Sequence, residues 1–264
     1  MQARIVRAAR GARWLGDGWR LFRAAPLGWL ALVFAYWLVM TVISLVPVVG
    51  AIAAAVLVPA FSVGFMAAAR SAERGAGVEL RLLFDGFRHG VRAQLLLGVV
   101  YFGCLGAVLA ATMLADDGAL AGWMLSGQRP DAETLGSGPF ASAMATAALL
   151  YAPVMLTFWF APPLSAWHST PPVKALFFSA AACLMNWRAF LAYAAMTALV
   201  TLVFPFLALS LLLLVSGGSL RVPVMSLVFP LLILLLPTLF ASFYASYRDV
   251  FGAERASHDK ESGA

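Results

Sequence analysis

Residues 27–50 read LGWLALVFAYWLVMTVISLVPVVG, and residues 51–69 follow with AIAAAVLVPAFSVGFMAAA. Neither run contains a charged residue, and each is close to the roughly 20 apolar residues that a helix needs to cross a bilayer. Pro47 and Gly50 favour a tight reversal between the two runs. Strands that cross membranes alternate polar and apolar residues, and these runs do not. The stretch therefore predicts a transmembrane helical hairpin.

The whole chain has the same character. Of its 264 residues, 62% are hydrophobic and 11% are charged, against about 45–50% and about 25% in soluble domains. This composition excludes a soluble domain and a disordered chain. We predict an all-α fold, a polytopic membrane bundle of six transmembrane helices within residues 1–251, followed by a flexible cytoplasmic tail at 252–264. The predicted spans are Leu27–Gly50, Ala51–Ala69, Gln94–Leu114, Phe140–Ala161, Ala189–Val215 and Val222–Tyr247.

The basic residues are sorted to one side of these spans. Of the 18 Lys and Arg residues, all but Arg129 and Arg221 lie in the two terminal segments or in the loops on the same side as them. Because Lys and Arg are retained on the cytoplasmic side, we expect both termini in the cytoplasm. The predicted spans contain no charged residue, which argues against an ion-coupled transport mechanism.

Three prolines suggest an internal repeat, because an aromatic residue follows each of them six positions later. The pairs are Pro59 with Phe65, Pro153 with Trp159 and Pro237 with Phe243. We interpret the chain as three units, at about 14–70, 81–164 and 174–248, each an interfacial helix followed by a helical hairpin. Prolines and aromatic residues are also common in single spans, which leaves a chain without repeats as the alternative. The prolines are candidate positions for a helix break beside a cavity.

The segment before the first span predicts an amphipathic helix in the membrane interface. Leu15, Trp19 and Phe22 share one face, whereas Arg13, Asp17 and Arg20 share another. Trp14, Trp19 and Trp29 are expected at headgroup level. The predicted partners are membrane lipids with anionic headgroups, and the helix serves either as a lipid-sensing surface or as a simple anchor. The candidate headgroup contacts are Arg20, Arg23, Arg88, Arg92, Arg188 and Arg248; pairing with Asp249 is the alternative for Arg248.

No residue pattern points to chemistry. The sequence lacks the spacing of a metal site, a phosphate-binding loop or a nucleophile–base pair, so we predict no catalytic, cofactor-binding or metal-binding residue and no enzyme. Segment 115–139 is interpreted as a solvated acidic loop on the outer side. The basic pI follows from the charges that flank the spans, so no nucleic acid is expected as a partner.

Several stretches resemble a family of six-span inner-membrane proteins from proteobacteria. They are Trp19-Arg20-Leu21-Phe22 with Pro26 and Trp29, Pro47-Val48-Val49-Gly50, Pro59-Ala60-Phe61, and above all the closing FASFYASYRDVF of residues 240–251. The resemblance implies the bacterial inner membrane and brings no activity with it. We expect a non-enzymatic, lipid-facing or assembly-related accessory factor. The alternative is a facilitator or small-molecule transporter, not ion-coupled, with a central cavity between the hairpins.

Overall fold

The computed structural model describes residues 3–215 and 224–252, and within these ranges the chain is helical and contains no strand. A 3₁₀ turn at Leu80–Phe84 precedes the fourth helix, and a π-helical turn at Leu199–Val203 follows the eleventh. The helices are α1 (Ala8–Ala24), α2 (Pro26–Ser44), α3 (Val49–Glu73), α4 (Asp85–Arg88), α5 (Val91–Asp116), α6 (Ala119–Ser126), α7 (Ala132–Leu135), α8 (Gly138–Phe158), α9 (Ala161–His168), α10 (Pro172–Met185), α11 (Trp187–Ala198), α12 (Phe204–Val215) and α13 (Val224–Phe251).

Five stretches of the described chain are helical, long and apolar enough to cross a membrane. They are Pro26–Ser44, Val49–Glu73, Val91–Asp116, Gly138–His168 and Trp187–Leu207. Large apolar side chains on them are exposed, such as Leu27 at 81% and Leu114 at 92%, which is the surface of a protein solvated by lipid rather than water. The prediction of an integral, multi-pass helical membrane protein is confirmed.

The sixth predicted span and the predicted tail are only partly described. Helix α13 covers most of Val222–Tyr247, but the first two residues of that span lie outside the described residues, as does Arg221. Of the tail at 252–264, Gly252 alone is described. The sixth span, the tail and the threefold repeat therefore stay predictions.

The described helices group into two compact units. The first comprises the described residues of Met1–Val42, Phe61–Arg88 and Ala181–Ala264. In this unit α1 lies against both α11 and α13, and two glycines make that approach possible. A Cβ atom on Gly11 would lie 1.8 Å from the carbonyl oxygen of Ala189, and one on Gly18 would lie 2.3 Å from that of Thr238. Helices in membranes often use such small residues to bring their backbones together.

Aromatic side chains fill the core of the first unit. The rings of Phe65 and Phe240 stack with centroids 3.9 Å apart, while Trp14 packs edge-on against Phe190 at 5.3 Å. Trp14 and Trp29 are both 0% exposed, so neither ring contacts lipid headgroups, and the depth of both residues in the membrane stays a prediction. Their large apolar rings are used in packing between α1 and its neighbouring helices instead.

The second unit comprises Ile43–Ala60 and His89–Ala180, and α5 packs along α8 within it. The hydroxyl groups of Tyr101 and Tyr151 lie 3.0 Å apart. The segment interpreted as a solvated loop contains α6 and α7, and Leu120 of α6 packs against Phe140 and Ala143 of α8. That interpretation is therefore wrong in part, because the apolar residues among its carboxylates bury a small core of their own.

The three prolines each lie within a continuous helix. Pro59 is inside α3 and Pro153 inside α8, and Pro237 is inside α13. The break that does occur separates α8 from α9, where the hydroxyl of Ser179 accepts from the amide of Phe160 at 2.8 Å and donates to the carbonyl of Leu156 at 2.9 Å. A cavity beside the prolines stays a prediction.

Candidate functional site

Charged side chains meet within the first unit, where the end of α3 and the end of α13 reach α1. We call this group the ion-pair cluster. Its members are Arg10, Asp17 and Arg20 of α1, Glu73 at the end of α3, and Arg248 and Asp249 in the last turn of α13. The group holds three guanidinium groups and three carboxylates, so its formal charges balance.

Helical spacing explains why these residues meet. Arg10 and Asp17 are seven residues apart on α1, which places them two turns apart on the same face. This face also carries Trp14 and Gly18, and it packs against other helices because both residues are buried. A charged residue on a packed helix face requires a partner, and the last turn of α13 supplies Arg248 and Asp249.

Arg248 contacts three carboxylates, more than any other arginine of the cluster. Its Nη2 atom lies 3.0 Å from Asp17 Oδ2 and 3.3 Å from Asp249 Oδ1, and its Nη1 atom donates to Glu73. The other carboxylate oxygen of Glu73 accepts from the hydroxyl of Tyr244 at 2.6 Å. Arg248 thereby joins α1, α3 and α13 through one guanidinium group.

Arg10 binds the same two aspartates from the other side. Its Nη2 atom donates to Asp17 Oδ2 at 2.9 Å, and its Nε atom donates to Asp249. The indole nitrogen of Trp14 also donates to Asp249, at 2.9 Å. Arg20 approaches the remaining oxygen of Asp17 at 3.1 Å. The two aspartate side chains are only 10% and 12% exposed, so little water is left to compete for them.

The electrostatic consequence is clearest at Asp249. Burial by itself would raise the pKa of Asp249, but the hydrogen bonds from Arg10 and Trp14 and the charges of Arg248 and Arg10 hold this pKa below its usual range. The hydrogen bond to Asp249 raises the pKa of Arg10. Burial lowers the pKa of Arg248, whereas the carboxylates of Glu73, Asp249 and Asp17 raise it, and the result is a raised pKa. Asp249, Arg10 and Arg248 are thus held in their charged forms.

A carboxylate held this way is a weak proton acceptor, and a shared guanidinium is a poor nucleophile. The contacts of the cluster fix the first helix of the chain to the end of the last described helix and to the end of α3. Because removing charged groups from water costs free energy, such a cluster contributes to the specificity of helix packing at least as much as to the stability of the fold.

A second set of hydrogen bonds holds the segment before α1. The side chain of Asn186 accepts from the amide of Val6 at 2.8 Å and donates to the carbonyl of Arg4 at 2.9 Å. The amide of Arg4 donates to the carbonyl of Val250 at 3.0 Å. The extended backbone before Ala8 is therefore fixed at both α13 and the junction of α10 with α11, close in sequence to the cluster residues.

The structure brings only two of the predicted headgroup arginines into the cluster, Arg20 and Arg248. For Arg248 the alternative of pairing with Asp249 is confirmed. The other four are exposed at separate places: Arg23, Arg88, Arg92 and Arg188. The guanidinium of Arg23 lies 5.8 Å from the ring centre of Trp19, and that of Arg188 lies 5.3 Å from that of Trp187. Lipid contact by any of them stays a prediction.

Sequence reasoning missed Arg10, Glu73 and the partner role of Asp17. Asp17 was assigned to a polar outer face of α1, because a helical wheel cannot tell a solvated charge from one that a distant helix neutralises. A usable signal was present, however. Acidic residues are rare in this chain, at 12 of 264. Glu73 and Asp249 follow the predicted cytoplasmic ends of two spans, and Asp17 lies in the helix that precedes the first span.

Comparison with known proteins adds one relative. A protein of Burkholderia thailandensis bearing the name "Probable inner membrane protein" is 40% identical over 266 residues, which cover 98% of this chain and 97% of that protein. No family model matches the chain. No solved structure matches it.

Proposed function

This chain belongs to the same family as that inner membrane protein of Burkholderia thailandensis, and on this premise we propose that it is a non-enzymatic accessory factor whose cytoplasmic face holds anionic lipids. Family membership confirms the resemblance indicated by the closing stretch of the sequence, and it supports the inner membrane as the location. We also propose that the protein binds lipids without catalysing a reaction and that both termini lie in the cytoplasm.

The observation that carries the proposal is the division of the arginines into two classes. Arg10 and Arg248 bind carboxylates within the protein, whereas Arg23, Arg88, Arg92 and Arg188 are exposed. These four lie close to the ends of candidate spans, where lipid phosphates are found. Arg binds phosphate through paired hydrogen bonds, and each basic residue near an anionic surface contributes about 1 kcal/mol of attraction.

Two of the exposed arginines lie over tryptophan rings, which supports an interfacial position. Trp19 and Trp187 are themselves exposed, and such rings are enriched at headgroup level. A guanidinium over a ring is held in place without a carboxylate partner, so its N–H groups are not used in an ion pair. This arrangement suits the capture of a phosphate better than an internal ion pair.

Lipid composition around the purified protein tests the proposal. After reconstitution into nanodiscs that contain equal amounts of phosphatidylglycerol and phosphatidylcholine, we expect enrichment of phosphatidylglycerol in the lipids that remain with the protein on extraction. Arg92→Gln with Arg188→Gln should reduce this enrichment. The matched control is Arg81→Gln, since Arg81 is also exposed but pairs with Glu79 at 3.1 Å. Equal retention of the two lipids by the unaltered protein would overturn the proposal.

Orientation is tested separately. The charge distribution supports cytoplasmic termini, so a reporter that is active only outside the cytoplasm should be inactive when fused to the C-terminus. Continuity of α3 and α8 through Pro59 and Pro153 supports the accessory role over the facilitator, because neither helix is broken at its proline. Solute flux into proteoliposomes above that of empty vesicles would favour the facilitator instead.

A further inference from the structure

The exposed side of α1 carries a row of arginines, of which only Arg20 belongs to the ion-pair cluster. Arg13, Gly16, Arg20 and Arg23 are all exposed and follow one another at helical spacing along the side away from Trp14. The buried face of α1 is occupied by contacts with α11 and α13. The row is therefore a cationic surface, carried by a helix whose other side is fixed by the fold.

Gly16 leaves a gap in the middle of this row. A Cβ atom on Gly16 would have no atom within 4 Å, in contrast to Gly11 and Gly18, where one would collide with a neighbouring backbone. Packing therefore does not require a glycine at this position. A glycine there does allow a headgroup to approach the helix backbone between Arg13 and Arg20, which lie about 10 Å apart along the axis.

The three arginines of this row differ in how many of their N–H groups remain available to bind an anion. In the described part of the chain, no carboxylate forms an ion pair with Arg13 or Arg23, whereas Arg20 uses one nitrogen to reach Asp17. A guanidinium has five N–H donors, so Arg20 keeps donors for a second acceptor. Three cations over about three turns exceed what a single phosphate group can neutralise.

Apolar surface continues directly from the row. Helix α2 begins three residues after Arg23, and Leu27 and Phe34 are exposed at 81% and 69%. These two residues are seven apart, so they lie on the same side of α2. The acyl chains of a lipid whose headgroup is bound near Arg23 would lie directly against these exposed apolar side chains.

We propose that the row Arg13–Gly16–Arg20–Arg23 binds one phospholipid that carries two phosphate groups, with its phosphates between the arginines and its acyl chains beside Leu27 and Phe34. This site rests on the proposed function, because it assigns a specific lipid class to one part of the cytoplasmic face. Two phosphates with one negative charge each match Arg13 and Arg23, the two arginines of the row that form no ion pair with a carboxylate in the described part of the chain, and basic sites on membrane proteins bind the headgroups of such lipids.

Native mass spectrometry of the full chain in detergent tests this assignment, with tetraoleoyl cardiolipin and dioleoyl phosphatidylglycerol as the probes and dioleoyl phosphatidylcholine as the neutral reference. We expect one tightly retained cardiolipin. Arg13→Gln with Arg23→Gln should weaken its binding by about 25-fold, or about fivefold for each arginine. Gly16→Phe keeps every charge and should weaken it as well, since the ring fills the gap.

The control pair is Arg74→Gln with Arg81→Gln, which removes two exposed arginines that lie outside the row and outside the proposed lipid contacts and should leave the affinity for cardiolipin unchanged. Equal affinity for cardiolipin and phosphatidylglycerol, or an equal loss in the control pair, would overturn the site while leaving the proposed function intact. Absence of any preference for either anionic lipid over phosphatidylcholine would overturn the proposed function itself.

Discussion

The carboxylates of this protein are satisfied differently in two regions. In the ion-pair cluster, Asp17 and Asp249 accept from guanidinium groups of α1 and α13. In segment 115–139, Asp116 accepts from the amides of Gly118 and Leu120 at 3.0 and 2.7 Å, and Asp131 accepts from that of Thr134 at 2.7 Å. These amides belong to the beginnings of short helices, so the second region uses backbone donors where the first uses arginine.

The distribution of arginine explains the contrast. Arginine is abundant in the terminal segments and on the same side of the spans, but Arg129 is the only basic residue of segment 115–139. An acidic residue there must find another donor, and the unpaired amides at a helix N-terminus are the nearest ones. The uneven distribution of arginine along the chain therefore affects local structure.

The largest effect is expected from removing Asp249. In Asp249→Ala, the groups that donate to it lose a carboxylate that is only 12% exposed, and loss of one member of a buried pair costs about 3 kcal/mol. The control is Glu79→Ala, which breaks the exposed pair with Arg81 and should cost about 0–1 kcal/mol. Unfolding by SDS, followed by tryptophan fluorescence, measures both. Similar losses in the two variants would mean that burial does not strengthen the cluster.

A slightly smaller loss is expected when the helices that form the cluster are pushed apart. Gly18→Val places a side chain where a Cβ atom would meet the Thr238 carbonyl oxygen at 2.3 Å, and such overpacking costs about 2–3 kcal/mol. Gly16→Val is the matched control, because that position is open. If both variants unfold alike, the approach of α1 to α13 is not as close as the glycine indicates.

Much of this fold followed from the sequence, because a membrane imposes a simple rule on composition. Apolar runs of sufficient length must be helices, and this was enough to place most of the spans and their class. Contacts between residues that are far apart in the sequence could not be predicted in that way. The contact of Asp17 with Arg248 joins residues far apart in the chain, and a helical wheel shows only the face on which each lies.

Local sequence patterns did not reveal the caps of segment 115–139 either. An aspartate before a helix is a familiar N-terminal signal, but α6 and α7 are short, and the acidic residues near them favoured a loop. The sequence did not reveal the burial of Trp14 and Trp29 either. The preference of tryptophan for the interface is a statistical tendency, and it does not tell whether a ring faces lipid or packs within the protein, as Trp14 does against Phe190.

A smaller effect should follow from weakening one helix cap. Asp116→Asn replaces one accepting oxygen with a donor, so one of the two amides at the start of α6 loses its partner, at a cost of about 1 kcal/mol. Asp117→Asn is the control, since Asp117 is exposed and has a left-handed backbone that asparagine tolerates. Hydrogen exchange at Leu120 should rise in Asp116→Asn and not in the control. Unchanged exchange would show that α6 is held by Leu120 packing alone.

The smallest effect near neutral pH is expected from titration. The pKa of Asp249 is lower in the folded protein than its usual value of about 3.9. The ionised carboxylate of Asp249 therefore contributes fully to stability above the usual value, and this contribution is lost as the pH falls through the folded pKa. The amide of Thr134 lowers the pKa of Asp131 in the same direction. The SDS unfolding midpoint should thus stay level from pH 7 to about 4 and decline below. Asp249→Asn should flatten that decline more than Asp131→Asn does. Salt should weaken the contribution of Asp249 more than that of Asp131, because the contribution of Asp249 arises from charge pairs. A decline that neither substitution alters would assign the acid sensitivity to other carboxylates.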